Sequence, residues 1–323
     1  MKQVTSSQQS NTMKAAYIQA YGPDETLSIG LRPLPTMSDN QVLIKVAAAG
    51  VNPVDFHIRN GMIAETGTHT LPLTLGWDAA GTVVDKGRDV SNLEIADEVF
   101  VFAPIDQQGT YAQYVVVDAN LVTHKPKTLT MNESAGVPLA AVTAWQSLFD
   151  EGKLSSGQRV LIIGASGGVG GFAVQIAKAS GAHVIACSSG KNAAYVKSLG
   201  ADEFIDYKTT KFEDVVQDVD LVLVISSGGD LVARALSVVR KGGVVVSTLD
   251  DADEQSIAKS GAHFSRMWVQ PNAEDLSQIG NMIDDGAIKV NVDRIYPLAD
   301  VNEAIKRSEA QLAVGKIIIA IDE

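Results

Sequence analysis

A single cysteine, Cys187, stands in the chain, which excludes an internal disulfide and any zinc cluster built on several thiolates. The five histidines, His57, His69, His124, His183 and His263, are scattered without a close pair or a His-Glu-x-x-His pattern, so no metal centre is expected. Basic residues are outnumbered, 26 Lys and Arg against 38 Asp and Glu, and the net charge of −12 leaves no electrostatic footprint for nucleic acid or an anionic membrane. Individual loops can still be basic. No apolar run reaches the roughly 18 residues of a bilayer span, so no membrane anchor is expected. Internal repeats and low-complexity tracts are also missing. Met1 to Thr12 is polar and rich in Ser and Gln, without the apolar centre of a signal peptide, and reads as a disordered leader of a cytoplasmic protein.

What remains is an ordinary globular composition, 46% hydrophobic and 20% charged over 323 residues, long enough that two domains are the default. Its most informative stretch runs from Arg159 to Lys191. Val160 to Ile163 is a short apolar run suited to a buried parallel strand. Gly164-Ala165-Ser166-Gly167-Gly168-Val169-Gly170 then turns the chain with small residues, Ala165 standing where the strict G-x-G-x-x-G pattern has its first glycine. Val169 to Ser180 carries apolar residues at helical spacing, Gly181 closes it, and His183 to Cys187 is a second strand. A helix starting at such a turn aims free N–H groups and its positive dipole end at the turn, which makes it a phosphate site.

A dinucleotide site that selects NAD places an acidic residue after the second strand to accept from the ribose 2′-OH. Here that place reads Cys187-Ser188-Ser189-Gly190-Lys191. Hydroxyls and a lysine suit a 2′-phosphate, and no carboxylate in the loop repels it, so NADPH is expected over NADH; an ordinary polar loop is the plain alternative.

From Met13 to about Lys127 the pattern is short strands and tight turns: Val42 to Val46, Gly81 to Val84, Glu98 to Phe102 and Tyr114 to Val117. Helical spacing follows over 132–151. Strands near 203–205, 221–225, 244–247 and 263–269 bring the βα count to six, enough for two mononucleotide-binding halves. A helix is expected over Ala273 to Asp285 and a final β element over 315–321. These elements predict an α/β chain with a mostly antiparallel β domain from both chain ends, 13–127 and 272–323, and a doubly wound parallel dinucleotide domain over 128–271.

With those pieces placed, the chain resembles the zinc-independent medium-chain dehydrogenase/reductases, in the NADPH:quinone oxidoreductase and alkenal (enone) reductase branch. The resemblance rests on Ala49-Gly50-Val51-Asn52-Pro53-Val54-Asp55, Gly76-Trp77-Asp78-Ala79-Ala80-Gly81, Gly109-Thr110-Tyr111-Ala112, Ala141-Val142-Thr143-Ala144-Trp145, the glycine turn, and Leu199-Gly200-Ala201-Asp202, in that order. It covers nearly everything after the leader. Zinc-dependent relatives carry Gly-His-Glu and a cysteine where this chain has Gly76-Trp77-Asp78 and Ala49, and neither Trp nor Ala ligates zinc.

The resemblance implies a GroES-like catalytic domain, a six-stranded Rossmann domain, and a metal-free hydride transfer from NADPH to a quinone or to the β-carbon of an α,β-unsaturated carbonyl. Ser166, Gly167, Gly168 and Val169 would hold the pyrophosphate, and Ser188, Ser189, Lys191 and Tyr207 the 2′-phosphate. Thr143, Pro53, Val54 and Asp55 would line the nicotinamide end, Ser226 and Ser227 would meet ribose, Val269-Gln270-Pro271 the nicotinamide amide, and Gly315 and Lys316 would close the cleft. For the hydrogen bond to the substrate oxygen the candidates are Asn52 and then His57. Asn52 is alternatively a turn former before Pro53, His57 a packing residue, and Asp78 a structural carboxylate. Two departures stand out: Gln311 lies where some relatives place an arginine, and His57 and Ile63 replace pocket tyrosines. The resemblance further implies a homodimer joined through the edge strand 263–269. Reduction of another enoyl substrate, or a non-catalytic NADPH-binding scaffold, are the competing readings.

Overall fold

The computed structural model describes residues 11–321, and most of the expected leader lies outside them. Thr12, placed in the leader by the sequence, already opens the strand Thr12–Ile18. That strand pairs with Ser28–Pro33 and Leu73–Thr74 in a small antiparallel sheet. A larger sheet is built on Gln41–Val51, which pairs antiparallel with Asp78–Lys86, Tyr114–Asp118 and the late strand Lys316–Ala320. Glu98–Phe102 and Val122–His124 extend it on one side, and Val292–Pro297 pairs parallel with Lys316–Ala320 on the other. The alternating burial of Gln41–Val51 gives way to an unbroken buried run from Ala48 to Val51, where helices cover its second face.

Six parallel strands form a third sheet, in the spatial order Glu203–Asp206, His183–Ser188, Arg159–Ile163, Val219–Val224, Val239–Ser247, His263–Arg266. In chain order this is 3-2-1-4-5-6, the doubly wound arrangement, whose connections reverse direction between Arg159–Ile163 and Val219–Val224. Arg159–Ile163 and Val219–Val224 are buried from their second or third residue onward, as strands covered on both faces require. The edge strand is shorter than the sequence suggests. It ends at Arg266, and after Met267 donates to the Ser247 carbonyl the chain leaves the sheet to border the cleft described below.

The helical region after 130 divides into Met131–Ala135, Pro138–Gln146 and a wide turn over Ser147–Glu151. The helix Ala273–Asp284 follows the expected span, and its buried Leu276, Ile279 and Ile283 share one apolar cluster with Val160, Ile162 and Phe100. Short helices Pro53–Arg59, Leu231–Val238, Glu254–Ser260 and Val301–Glu309 were not anticipated.

The glycine turn sits at the end of Arg159–Ile163, and the helix Gly168–Ala179 begins from it. Gly164 adopts φ +96°, and a Cβ on Gly170 would fall onto the Gly164 carbonyl and the Ala165 backbone. Close helix–strand contact is thus possible only without that side chain. Gly170→Ala should therefore cost about 1–3 kcal/mol, measured by urea denaturation, whereas unchanged stability would mean that the turn yields freely.

Candidate active site

The phosphate-binding half is assembled from four loops. Gly167 caps the helix Gly168–Ala179 with extended backbone, leaving the first N–H groups of the helix free in the turn. Gly315 bridges to Gly167 and donates to the Ser166 carbonyl at 3.2 Å, so the late strand closes over the turn. Asn192, which the sequence reading missed, donates to the Ser166 hydroxyl at 2.9 Å and ties the turn to the Ser188–Lys191 loop.

In that loop Ser188 and Ser189 are buried, Lys191 is exposed, and Tyr207 is 59% exposed beside them, its N–H donating to the Ser188 carbonyl. The Ser188 hydroxyl is buried without a partner among the described residues. The structure also corrects one expectation. Asp206 pairs in register with Ser188, and a Cβ on Gly190 would fall on its carboxylate, so a negative charge does reach this loop.

The second half is an apolar cleft open to solvent. Pro53, Val54, Leu139, Val169, Ile225 and Val269 contribute its walls, Met62 and the 49% exposed Trp268 stand at its border, and Asn52, His57, Thr143, Thr248 and Arg266 are its polar members. His57 is half-buried against Phe56, and burial lowers its pKa against the opposing pull of Glu309. Thr143 donates to the Leu139 carbonyl at 2.7 Å. Gln270 is held on both backbone groups by the side chain of Gln146 at 3.0 Å, a residue that no motif singles out. Ser226 packs its hydroxyl near Gly164, and Ser227 is exposed. Pro271 is half-buried at the start of the next loop.

Beneath this cleft lies a feature absent from the sequence reading. Asn52 Nδ2 donates to Asp78 Oδ2 at 2.8 Å, and Lys316 Nζ donates to Asn52 Oδ1 and to the Val51 carbonyl at 3.1 Å. Asp78 Oδ2 lies 3.7 Å from the Lys316 ammonium, and Asp78 Oδ1 accepts the Leu139 N–H at 2.6 Å, in the first turn of Pro138–Gln146. Asp55 accepts the Asn52 N–H at 2.8 Å and the Tyr111 hydroxyl at 2.5 Å. Two expected roles change as a result. Asp55 is fully buried in this cluster and does not line the nicotinamide end, and Lys316, 4% exposed, sends its ammonium away from the cleft rim and under Asn52.

Burial raises both carboxyls: it pushes Asp55 up to about 7, against the Asn52 and Tyr111 hydrogen bonds and the Lys316 charge, and it raises Asp78 against the pull of Lys316. Burial lowers Lys316, and Asp78 and Asp55 draw it back up.

A doubly wound sheet with a phosphate cradle at its switch point, beside an apolar cleft roofed by a β domain, defines a nicotinamide-dependent dehydrogenase or reductase. Residues 38–127 match the family described as Alcohol dehydrogenase GroES-like domain, and 199–319 that described as Zinc-binding dehydrogenase. The chain is 34% identical to NAD(P)H oxidoreductase RTN4IP1, mitochondrial, of Mus musculus, over 98% of this chain and 91% of the relative. It is 32% identical to the NADPH-dependent alkenal/one oxidoreductase, chloroplastic, of Arabidopsis thaliana, over 95% and 79%. The quinone oxidoreductase structure from Coxiella burnetii superposes with a TM-score of 0.89 at 31% identity, over 96% of this chain and 99% of that one.

The chain belongs to the medium-chain dehydrogenase/reductases, in their zinc-independent quinone and alkenal reductase branch. It is an oxidoreductase with a nicotinamide cofactor. The donor set does not fit a catalytic zinc: Trp77 and Ala49 are buried at the positions in question, and no group of three His, Cys, Asp or Glu among the described residues could hold a metal ion. Likewise, no helix among them is long and apolar enough to cross a membrane.

Asp55 gives the site a measurable pH signature. Its folded pKa is raised from 3.8 to about 7, so between those values the folded state binds more protons than the unfolded chain. The Asp55 contribution to stability therefore falls as pH rises through that window. Asp55→Asn cannot titrate, so wild type should lose a few kcal/mol relative to the variant between about pH 4 and 7 in urea denaturation, at roughly 1.4 kcal/mol per pH unit. Parallel pH profiles would contradict the assignment.

Proposed function

We propose that this protein reduces a quinone or the activated double bond of an α,β-unsaturated carbonyl with NADPH. When bound, NADPH supplies the hydride. The fit of the dinucleotide to this chain is supported by the free N–H groups of Gly168 and Val169 in the first turn of the helix, the orphaned Ser188 hydroxyl, and the backbone contact that only glycine at 170 permits. Ser166, Gly167, Gly168 and Val169 would hold the pyrophosphate. Ser188, Ser189, Lys191 and Tyr207 would hold the 2′-phosphate, two hydroxyls and an ammonium lying in one loop and a phenol in the segment bonded to its backbone. Thr143 and the Val269–Pro271 segment, braced by Gln146, would seat the nicotinamide.

The observation that carries the reading of the chemistry is the place of Asn52. It lines a mostly apolar cleft, one of its Nδ2 protons is taken by Asp78, and the second has no partner among the described residues. As hydride arrives at a conjugated carbonyl, negative charge gathers on the oxygen, and a fixed N–H at that point stabilises it in a medium that screens poorly. His57 stands in the same cleft as a second donor, and its burial favours the neutral ring. The apolar walls suit a flat, uncharged acceptor, as do the names of the relatives. Cytoplasmic location and a homodimer built on the outer strand His263–Arg266 belong to the same proposal, although two of the relatives named here carry mitochondrial or chloroplastic in their names.

Asp206 beside Gly190 favours a second reading, use of NADH. Steady-state oxidation of NADPH and NADH against a small para-quinone, an alkenal and a cyclic enone separates the two. The expected result is turnover with NADPH, a KM for NADPH raised about tenfold by Lys191→Ala, one charge-assisted hydrogen bond being worth about 1.5–3 kcal/mol, and no change with NADH. Preference for NADH would assign the loop to the ribose hydroxyl. Asn52→Ala should lower kcat by about 10²–10³ with little change in KM; full kcat would remove Asn52 from the chemistry.

A further inference from the structure

Among the described residues Lys316 is the cation bonded to Asn52, and it opens a strand paired with the one that ends at Val51, immediately before Asn52. Its aliphatic stem lies along the phosphate turn, where a Cβ on Gly168 would stand 2.8 Å from Lys316 Cδ, and its ammonium ends on the Asn52 amide oxygen. Asp78 takes the opposite end of the same amide. A side-chain amide is symmetric in shape but not in charge. With an ammonium on its oxygen and a carboxylate on its nitrogen, the reverse orientation would place NH₂ against NH₃⁺ and oxygen against a carboxylate. The amide therefore has one permitted orientation, and the ammonium also draws electrons from the nitrogen, which makes its remaining N–H a stronger donor.

We infer that Lys316 is a positioning residue: its ammonium fixes and polarises the Asn52 amide so that the uncommitted Nδ2–H is held for the substrate oxygen in the cleft. The inference rests on the reading of Asn52 as the donor. Lys316 itself touches neither substrate nor reacting atoms. Its three N–H directions are spent on Asn52, the Val51 carbonyl and the Asp78 side, so it acts only through Asn52.

A double-mutant cycle tests this with kcat, KM and a direct probe of the amide. Lys316→Met in wild type should lower kcat about 10- to 100-fold with KM for the acceptor and for NADPH changed less than threefold. The same substitution in Asn52→Ala should lower kcat no further. Lys316→Arg should recover most of the lost rate, because a guanidinium still donates to the amide oxygen. In the ¹⁵N-labelled protein without cofactor, the side-chain NH₂ resonances of Asn52, identified by their absence in Asn52→Ala, should shift and exchange with water at least tenfold faster in Lys316→Met, and return in Lys316→Arg.

Lys316→Met leaves the buried Asp78 and Asp55 carboxyls without a cation, so Lys316→Arg, which keeps the charge, supplies the folded control, and a Lys316→Arg kcat as low as that of Lys316→Met would overturn the inference. Equal losses from Lys316→Met with and without Asn52 would overturn the inference while leaving Asn52 as the donor. Undisturbed Asn52 resonances in a folded Lys316 variant would overturn it as well. A full kcat in Asn52→Ala alone would remove the donor, and the inference with it.

Discussion

An ammonium group sealed from water under two carboxylates keeps its charge only if each partner is bound by something else as well. Around Lys316 every group meets that condition. Asp78 is held by a backbone N–H and an amide, Asp55 by a backbone N–H and a phenol, and Lys316 by a carbonyl and an amide oxygen. Removing one member of such a set leaves an uncompensated buried charge, which typically costs about 3–5 kcal/mol. The geometry of the cleft is anchored to these groups. Asp78 fixes the start of Pro138–Gln146 through Leu139, and that helix carries Thr143 into the cleft and Gln146 against the Gln270 backbone. A carboxylate at a helix N-terminus also meets the positive end of its dipole. One buried cluster thus sets the positions of the proposed donor and of the proposed nicotinamide seat together.

The cleft itself is chemically sparse, and that sparseness has a physical role. Its walls are mostly aliphatic, so the few polar groups in it act in a medium of low polarisability, where a single aligned N–H counts for far more than in water. The lone cysteine contributes nothing to this chemistry. Cys187 is buried at the end of a strand, and burial pushes its thiol up to about 12, far from the thiolate that a redox or nucleophilic role requires.

The strand–turn–helix around residues 159–188 was legible because fully buried parallel strands are almost uniformly apolar and the turn is almost uniformly small. The topology followed from the βα alternation. The edge strand was overextended because Met267, Trp268 and Val269 are as apolar as a strand, yet they leave the sheet to border the cleft. Helices such as Val301–Glu309 escaped notice because only Val301, Ala304 and Ile305 are buried along them, too few apolar positions to set a period by eye. Of the buried cluster only Asp78, as a structural carboxylate, was legible. Lys316 precedes Ile317-Ile318-Ile319 and looks like the solvent-facing start of a strand, while Asp55 and Tyr111 each resemble ordinary turn or strand residues. What joins them is strand register, Ile317 opposite Val51 and Asp78 opposite Gly50, which depends on pairings across the whole chain. The approach of Asp206 to Gly190 has the same origin.

That register also dictates an order of events at birth. Lys316 follows Asn52 by 264 residues and lies in the last strand of the described chain, so it leaves the ribosome after every other strand of its sheet. Until it arrives, a nascent β domain would have to bury Asp55 and Asp78 with no cation between them, which the desolvation cost opposes. Closing the first half of that sheet around ionised Asp55 and Asp78 is therefore disfavoured until the last strand is in place. Closing the sheet and setting the Asn52 amide thus draw on the same strand.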